Sequence, residues 1–226
     1  MPRPPVHADR GRAEAFGLAA DAYDRYRPRY PLPLIRELIK GSHLRALDVG
    51  AGTGIASVQM MEAGADVLAV EPDPRMARVA ADNGVPVEQA TFEDWKPSGR
   101  SFDLVVFAQS FHWVQPHLAL DKIASILRPG GRLALLSNRI APVSPTRQEL
   151  DEAYAGYLDA SARPAIDAAH DDELMTMISN ARIHRRAPTR HRTAALHHRR
   201  LGEYGVHLLQ RARAGRSGAC RPPFPP

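Results

Sequence analysis

Cysteine is all but missing from this chain: Cys220 stands alone, so no internal disulfide can brace the fold, and a reducing compartment suits it. No apolar run approaches the roughly 20 residues a membrane-spanning helix needs. No charged, apolar and small-residue leader opens the sequence, so a cytoplasmic location is expected and no membrane partner. Metal-ligand spacing is missing as well. His112 and His117 lie five apart, His197 and His198 are adjacent, and neither pattern makes a site. No activated Ser or Cys nucleophile is recognisable.

Acids are scarce in one place only. Residues 181–226 hold 11 arginines, no lysine and a single acid, Glu203, for a local charge of about +10. The formal charge of the whole chain is +5, so residues 1–180 carry about −5. A charge-based case for nucleic acid therefore rests on the tail alone, and the body gives no reason to expect that partner. At 226 residues the length suits one domain with a substantial core.

What the chain does have is concentrated in residues 44–71. Leu44 to Val49 is apolar enough for a buried strand and breaks at once into Gly50-Ala51-Gly52-Thr53-Gly54. Ile55, Val58 and Met61 then recur at helical spacing up to Gly64, and a second apolar run, Val67 to Val70, ends on Glu71. Strand, glycine turn, helix and strand with a terminal carboxylate form half of a nucleotide-binding α/β unit. The sixth loop position is Ile55, so the loop fits GxGxG and misses the GxGxxG of dinucleotide sites. A nicotinamide-dependent oxidoreductase is accordingly a distant alternative. A carboxylate 21 residues after Gly50 suits acceptance from two ribose hydroxyls.

Asp48-Val49-Gly50-Ala51-Gly52-Thr53-Gly54, followed by Val70-Glu71-Pro72, resembles the class I S-adenosylmethionine-dependent methyltransferases. Further segments narrow the resemblance to the methyltransferase type 11 group, near its trans-aconitate methyltransferase-like branch. Phe16, Tyr23 and the run Arg27, Pro28, Tyr30, Pro31 resemble that group's leader, which folds over the cofactor. Arg27 would meet the methionine carboxylate, or the aromatics would only pin an N-terminal helix to the core. Gln109-Ser110-Phe111-His112-Trp113, after the strand Phe102–Ala108, resembles the floor where cofactor and acceptor meet. The resemblance implies an α/β fold, a doubly wound, mostly parallel sheet of the Rossmann-like class I methyltransferase type, with S-adenosyl-L-methionine as cofactor.

It also implies cofactor contacts at Asp48, Gly50, Ala51, Gly52, Thr53, Gly54, Glu71, Pro72, Met76, Phe92, Glu93, Ala108, Gln109, Tyr23 and Arg27. Met76 would touch the adenine edge, Phe92 its face, and Glu93 or Asp94 its amino group. The competing readings place Met76 in the core and the two acids in a solvated first helical turn. His112, at a strand's carboxyl end, is the candidate base or acceptor-orienting group; the competing reading has it holding the loop. Trp113 would wall the acceptor pocket, and the acceptor itself would be a small molecule.

Between these motifs the expected helices start at Pro33, at Pro74 behind an Asp73 N-cap, at Pro116 and behind the capping box Thr146-x-x-Glu149. A further helical stretch is expected over 171–180. The turn Leu127-Arg128-Pro129-Gly130-Gly131 leads into a fifth strand, Leu133–Ser137. Three regions follow: a disordered N-terminus over 1–15, the methyltransferase domain over 16–180, and an atypical basic tail over 181–226. The group should have two more strands in the tail, and its Arg/His/Pro/Gly/Ala composition without alternation reads as a frameshifted, disordered end with those strands missing. Leu133–Ser137 would then be an exposed apolar edge. The alternatives to an active small-molecule O-methyltransferase are an inactive relative, and a cofactor-binding protein whose basic tail contacts nucleic acid.

Overall fold

A computed structural model describes residues 16–41, 43–142, 145–155, 183–185, 189–195 and 200–211. Chain order gives α1 (Ala20–Tyr26), α2 (Leu32–Leu38), β1 (Arg45–Val49), α3 (Ile55–Glu62), β2 (Asp66–Val70), α4 (Pro74–Asp82) and β3 (Val87–Glu88). Then come β4 (Phe102–Ala108), α5 (Pro116–Ile126), β5 (Leu127–Pro142), α6 (Arg147–Tyr154), β6 (Ile183–Arg185), β7 (Thr189–Ala195) and β8 (Arg200–Arg211). Short 3₁₀ turns cover Phe16–Ala19 and Phe111–Trp113. The strands form one sheet in the order β3-β2-β1-β4-β5-β8-β6, with β7 also on β8. The first five are parallel, while β8 runs antiparallel to β5, β6 and β7.

The parallel strands are buried on both faces because successive side chains alternate between two cores. On one face Leu47, Val49, Val105 and Phe107 pack with Ala119, Leu120 and Ile123 of α5. On the other, Ala46, Leu104 and Val106 pack with Leu34, Ile35 and Leu38 of α2 and with Ile55, Ala56 and Met60 of α3. The expected helix starts are met: Asp73 caps α4 by accepting from the Arg75 amide at 2.8 Å, with Pro74 at its first position. Thr146 and Glu149 form the reciprocal capping box of α6. The turn at Leu127–Gly131 is an irregularity within β5, where pairing with β4 slips after Phe102 and Gly130 adopts φ +82°.

The expectation that the C-terminal strands are missing is corrected. β8 pairs with β5 from Arg132↔Gln210 to Pro142↔Arg200, so the Leu133–Ser137 edge is covered. β6 and β7 lie in succession along the far side of β8, which supplies the two further strand positions. In sequence, Tyr204, Val206 and Leu208 alternate with Glu203, Gly205 and His207, a period-2 pattern that suits a strand. Arginine and histidine around it had hidden that pattern. The expectations for 1–15, for a helix over 171–180 and for 212–226 lie outside the described residues.

Strand order reverses between β1 and β4, because β1 has β2 on one side and β4 on the other. In open α/β sheets the carboxyl ends of such a pair flank the ligand crevice. Here those ends carry Gly50–Gly54 and Gln109–Trp113.

Candidate cofactor and acceptor site

The loop after β1 is shaped by three different needs. A Cβ on Gly50, at φ +66°, would come within 2.6 Å of the Ser110 Cβ, so this glycine makes room for the loop after β4. Ser110 fastens that contact by donating its hydroxyl to the Val49 carbonyl. A Cβ on Gly54 would press on Val85 and Ala80. A Cβ on Gly52, by contrast, would meet nothing within 4 Å. Gly52 is therefore the loop glycine with open space beside its backbone.

Glu71 closes the loop from β2. Its Oε2 accepts from the Gly52 amide at 2.7 Å and its Oε1 from the Asp73 amide at 2.9 Å. A carboxylate has about four lone-pair sites, so two remain for donors such as ribose hydroxyls. Burial raises the Glu71 pKa, although both amides pull it down. Asp48, at the end of β1, is fully buried and accepts from the Ser57 hydroxyl at 2.7 Å through Oδ2. Its Oδ1 has no hydrogen-bond partner. Desolvation, with the Glu71 charge adding to it, pushes the Asp48 pKa up to about 6. Thr53 Oγ1 is buried and unpartnered too, so two orphaned polar atoms flank the glycine loop.

The N-terminal segment arches over these carboxylates and is fastened at both ends. At one end Gly17 lies so close to Asp73 and Arg75 that a Cβ would sit 2.0 Å from Asp73 Oδ2. Ala20 of α1 packs there with Met76 and Val79 of α4. At the other end the Tyr30 backbone exchanges two hydrogen bonds with the buried Gln59 amide of α3, at 2.9 and 2.7 Å. Between them Arg27 lies 5.2 Å over the Tyr23 ring and donates to Gln109 Oε1 at 2.7 Å. Burial raises the Tyr23 pKa, with Arg27 opposing and Glu71 adding, so Tyr23 stays neutral.

After β4, Gln109 holds φ +59°, a left-handed conformation uncommon outside glycine. Its amide donates to the Leu136 carbonyl at 3.0 Å. His112 is exposed on the following 3₁₀ turn, its ring 4.6 Å from that of half-buried Trp113. Ala108 is half-buried at the end of β4 and Pro72 is exposed behind Glu71.

Three residues expected beside adenine make packing or capping contacts of their own. Met76 is buried in the contact between α1 and α4, as the core reading had it. Phe92 is buried too, its ring edge-on to Phe107 at 5.6 Å and stacked with Trp95 at 6.3 Å. Glu93 Oε1 accepts from the Gln115 amide at 3.0 Å, at the start of α5. Lys122 of α5 completes this corner by donating to the Phe92, Glu93 and Trp95 carbonyls. Ser57 and Gln59, which hold Asp48 and Tyr30, belong to no motif in the sequence, and Ser110 of the expected floor holds Val49. Two polar residues on the buried face of α3 were the available signal. Among the described residues no three His, Cys, Asp or Glu side chains gather as a metal site, and no helix is long and apolar enough to cross a membrane.

Residues 47–135 match the family model described as a methyltransferase domain. An uncharacterized methyltransferase of Mycobacterium tuberculosis is 43% identical over 126 residues, covering 55% of this chain and 52% of that protein. A ubiquinone biosynthesis O-methyltransferase of Xanthomonas axonopodis is 32% identical over 108 residues, 44% of this chain and 45% of its own. The chain spans about half the length of these curated relatives. In fold it is similar to an S-adenosylmethionine-dependent methyltransferase structure from Methanosarcina mazei, with a TM-score of 0.60 at 14% identity over 82% of this chain and all of that one.

Proposed function

We propose that the chain is an S-adenosylmethionine-dependent methyltransferase that methylates an oxygen of a small acidic or hydroxylated molecule. The observation that carries this reading is the loop Gly50–Gly54, open at Gly52, with the buried Glu71 carboxylate bonded to the Gly52 amide. The match of residues 47–135 to a methyltransferase domain supports it. The O-methyltransferase among the relatives, together with the AQSFHW loop, supports oxygen as the acceptor atom and the trans-aconitate-like branch as the relevant one.

The residues present fit an adenosyl cofactor with an amino-acid tail. Glu71 has two lone-pair sites left for the ribose hydroxyls. Gly52 leaves room for close approach to the backbone, and Asp48 offers an orphaned buried acceptor. Arg27 supplies a cation for a carboxylate. When bound, the cofactor supplies an activated methyl group on a sulfonium. The chain's own work is positioning: the loops after β1 and β4 meet through Gly50 and Ser110, which fixes the floor beneath the reacting atoms. His112 and Trp113 stand on that floor, His112 to orient or deprotonate a hydroxyl acceptor and Trp113 to wall it.

Turnover assays on candidate carboxylate and hydroxyl acceptors test the reading. Transfer should persist with a chelator present, and transfer abolished by chelation and restored by magnesium would contradict it. His112→Ala should lower turnover while cofactor affinity stays near wild type; unaltered turnover would leave His112 a loop-holding residue.

A further inference from the structure

Gln109 was expected to touch the cofactor, yet its side chain is spent on the N-terminal arch. Oε1 accepts from Arg27 Nη2 at 2.7 Å, across 82 residues of sequence. The Tyr30 hydroxyl lies beside the same amide. Tyr30 is itself buried and immobilised by its two backbone bonds to Gln59. Burial and the neighbouring Asp48 charge raise the Tyr30 pKa strongly, so the phenol beside the amide remains neutral. The Gln109 backbone is also fixed, at φ +59° with its amide on Leu136. Gln109 is thus fixed at the backbone and through its Oε1, while Arg27 has a long, rotamer-rich side chain that costs entropy to hold.

We propose that Gln109 is a positioning residue, which with Tyr30 aims the Arg27 guanidinium at the carboxylate of the cofactor's amino-acid tail. The inference rests on the cofactor reading above. It separates two tasks within one pocket: Glu71 and the glycine loop hold the nucleoside, and the Tyr30–Gln109–Arg27 chain selects the tail. A φ of +59° at a non-glycine residue persists only when its surroundings fix it, and this network is what fixes it.

Calorimetry with two ligands tests the inference: S-adenosylhomocysteine, which has the tail, and 5′-methylthioadenosine, which lacks it. Gln109→Met keeps the shape and the backbone demand and removes the hydrogen bond to Arg27. It should weaken adenosylhomocysteine roughly tenfold, the scale of a lost charge-assisted bond. Methylthioadenosine should stay within about twofold in the same variant. In an Arg27→Ala background the Gln109→Met change should cost nothing further, because the partner it aims is gone. If Gln109→Met fails to fold, Gln109→Glu replaces it: a carboxylate pairing with Arg27 should give the same selective loss. Equal losses for both ligands, or additive losses in the double variant, would overturn the inference and leave the cofactor reading standing. Wild-type protein that binds neither ligand would overturn both.

Discussion

Asp48 carries the largest electrostatic cost within the described site. A fully buried carboxylate with one oxygen unpartnered binds its proton more tightly folded than unfolded, so its pKa rises from 3.8 to about 6. The sign follows from that direction. Stability is greatest below pH 3.8 and falls as pH rises through about 6, by about 3 kcal/mol for this one group. Asp48→Asn should therefore raise the melting temperature at pH 7.5 and match wild type near pH 4, in scans across that range. The same variant should bind cofactor more weakly, as expected where a site retains strain for function. A melting-temperature gap that does not widen with pH would contradict the assignment. The loop glycines give a second contrast at this scale. Gly52→Ala meets only the left-handed backbone penalty, about 1–2 kcal/mol, whereas Gly50→Ala must also displace Ser110. Chemical denaturation should find Gly50→Ala the more destabilised. Gly52→Ala should lose cofactor affinity out of proportion to its stability.

At the scale of elements, what was legible in the sequence was local. Residues 44–71 announce strand, turn, helix and strand because each signal lies within a few residues, and Glu71 follows from its place at a strand's end. Phe102–Ala108 is equally plain as a continuous apolar run, and the structure assigns the same bounds. The Tyr30–Gln109–Arg27 chain was not legible, since it depends on a left-handed backbone at Gln109 and on contact across 82 residues. Phe92 and Met76 were legible as apolar residues near the site, but only the packing reveals that their rings and methyls face inward. β8 was missed because Tyr204, Val206 and Leu208 form one short alternating face within an arginine- and histidine-rich stretch. Its pairing with β5 yields a prediction of its own. Amides of β5 should exchange slowly with solvent in the full chain, and truncation before Arg200 should expose that edge and promote aggregation. A truncated chain that stays monomeric, with β5 still protected, would show that β8 does not guard it.

For the whole molecule, the sheet reversal between β1 and β4 places the proposed site, and the segment from Gly17 to Tyr30 is fastened beside it by its contacts with α4, Gln109 and α3. The charge distribution agrees with this division: mild acidity through residue 180, and a basic surplus confined to the strands and tail beyond it. Adenosylmethionine binding in the crevice is the claim on which the rest depends. Glu71→Ala removes the carboxylate that holds the loop and is proposed to hold the ribose, and should weaken the cofactor by about 1.5–3 kcal/mol. The direct measurement is titration calorimetry of the wild-type chain with adenosylmethionine and with NAD, repeated on Glu71→Ala. One adenosylmethionine per chain, no heat from NAD and the stated loss in the variant is the result expected. Binding of NAD in preference to adenosylmethionine, or unchanged affinity in a folded Glu71→Ala protein, would contradict it.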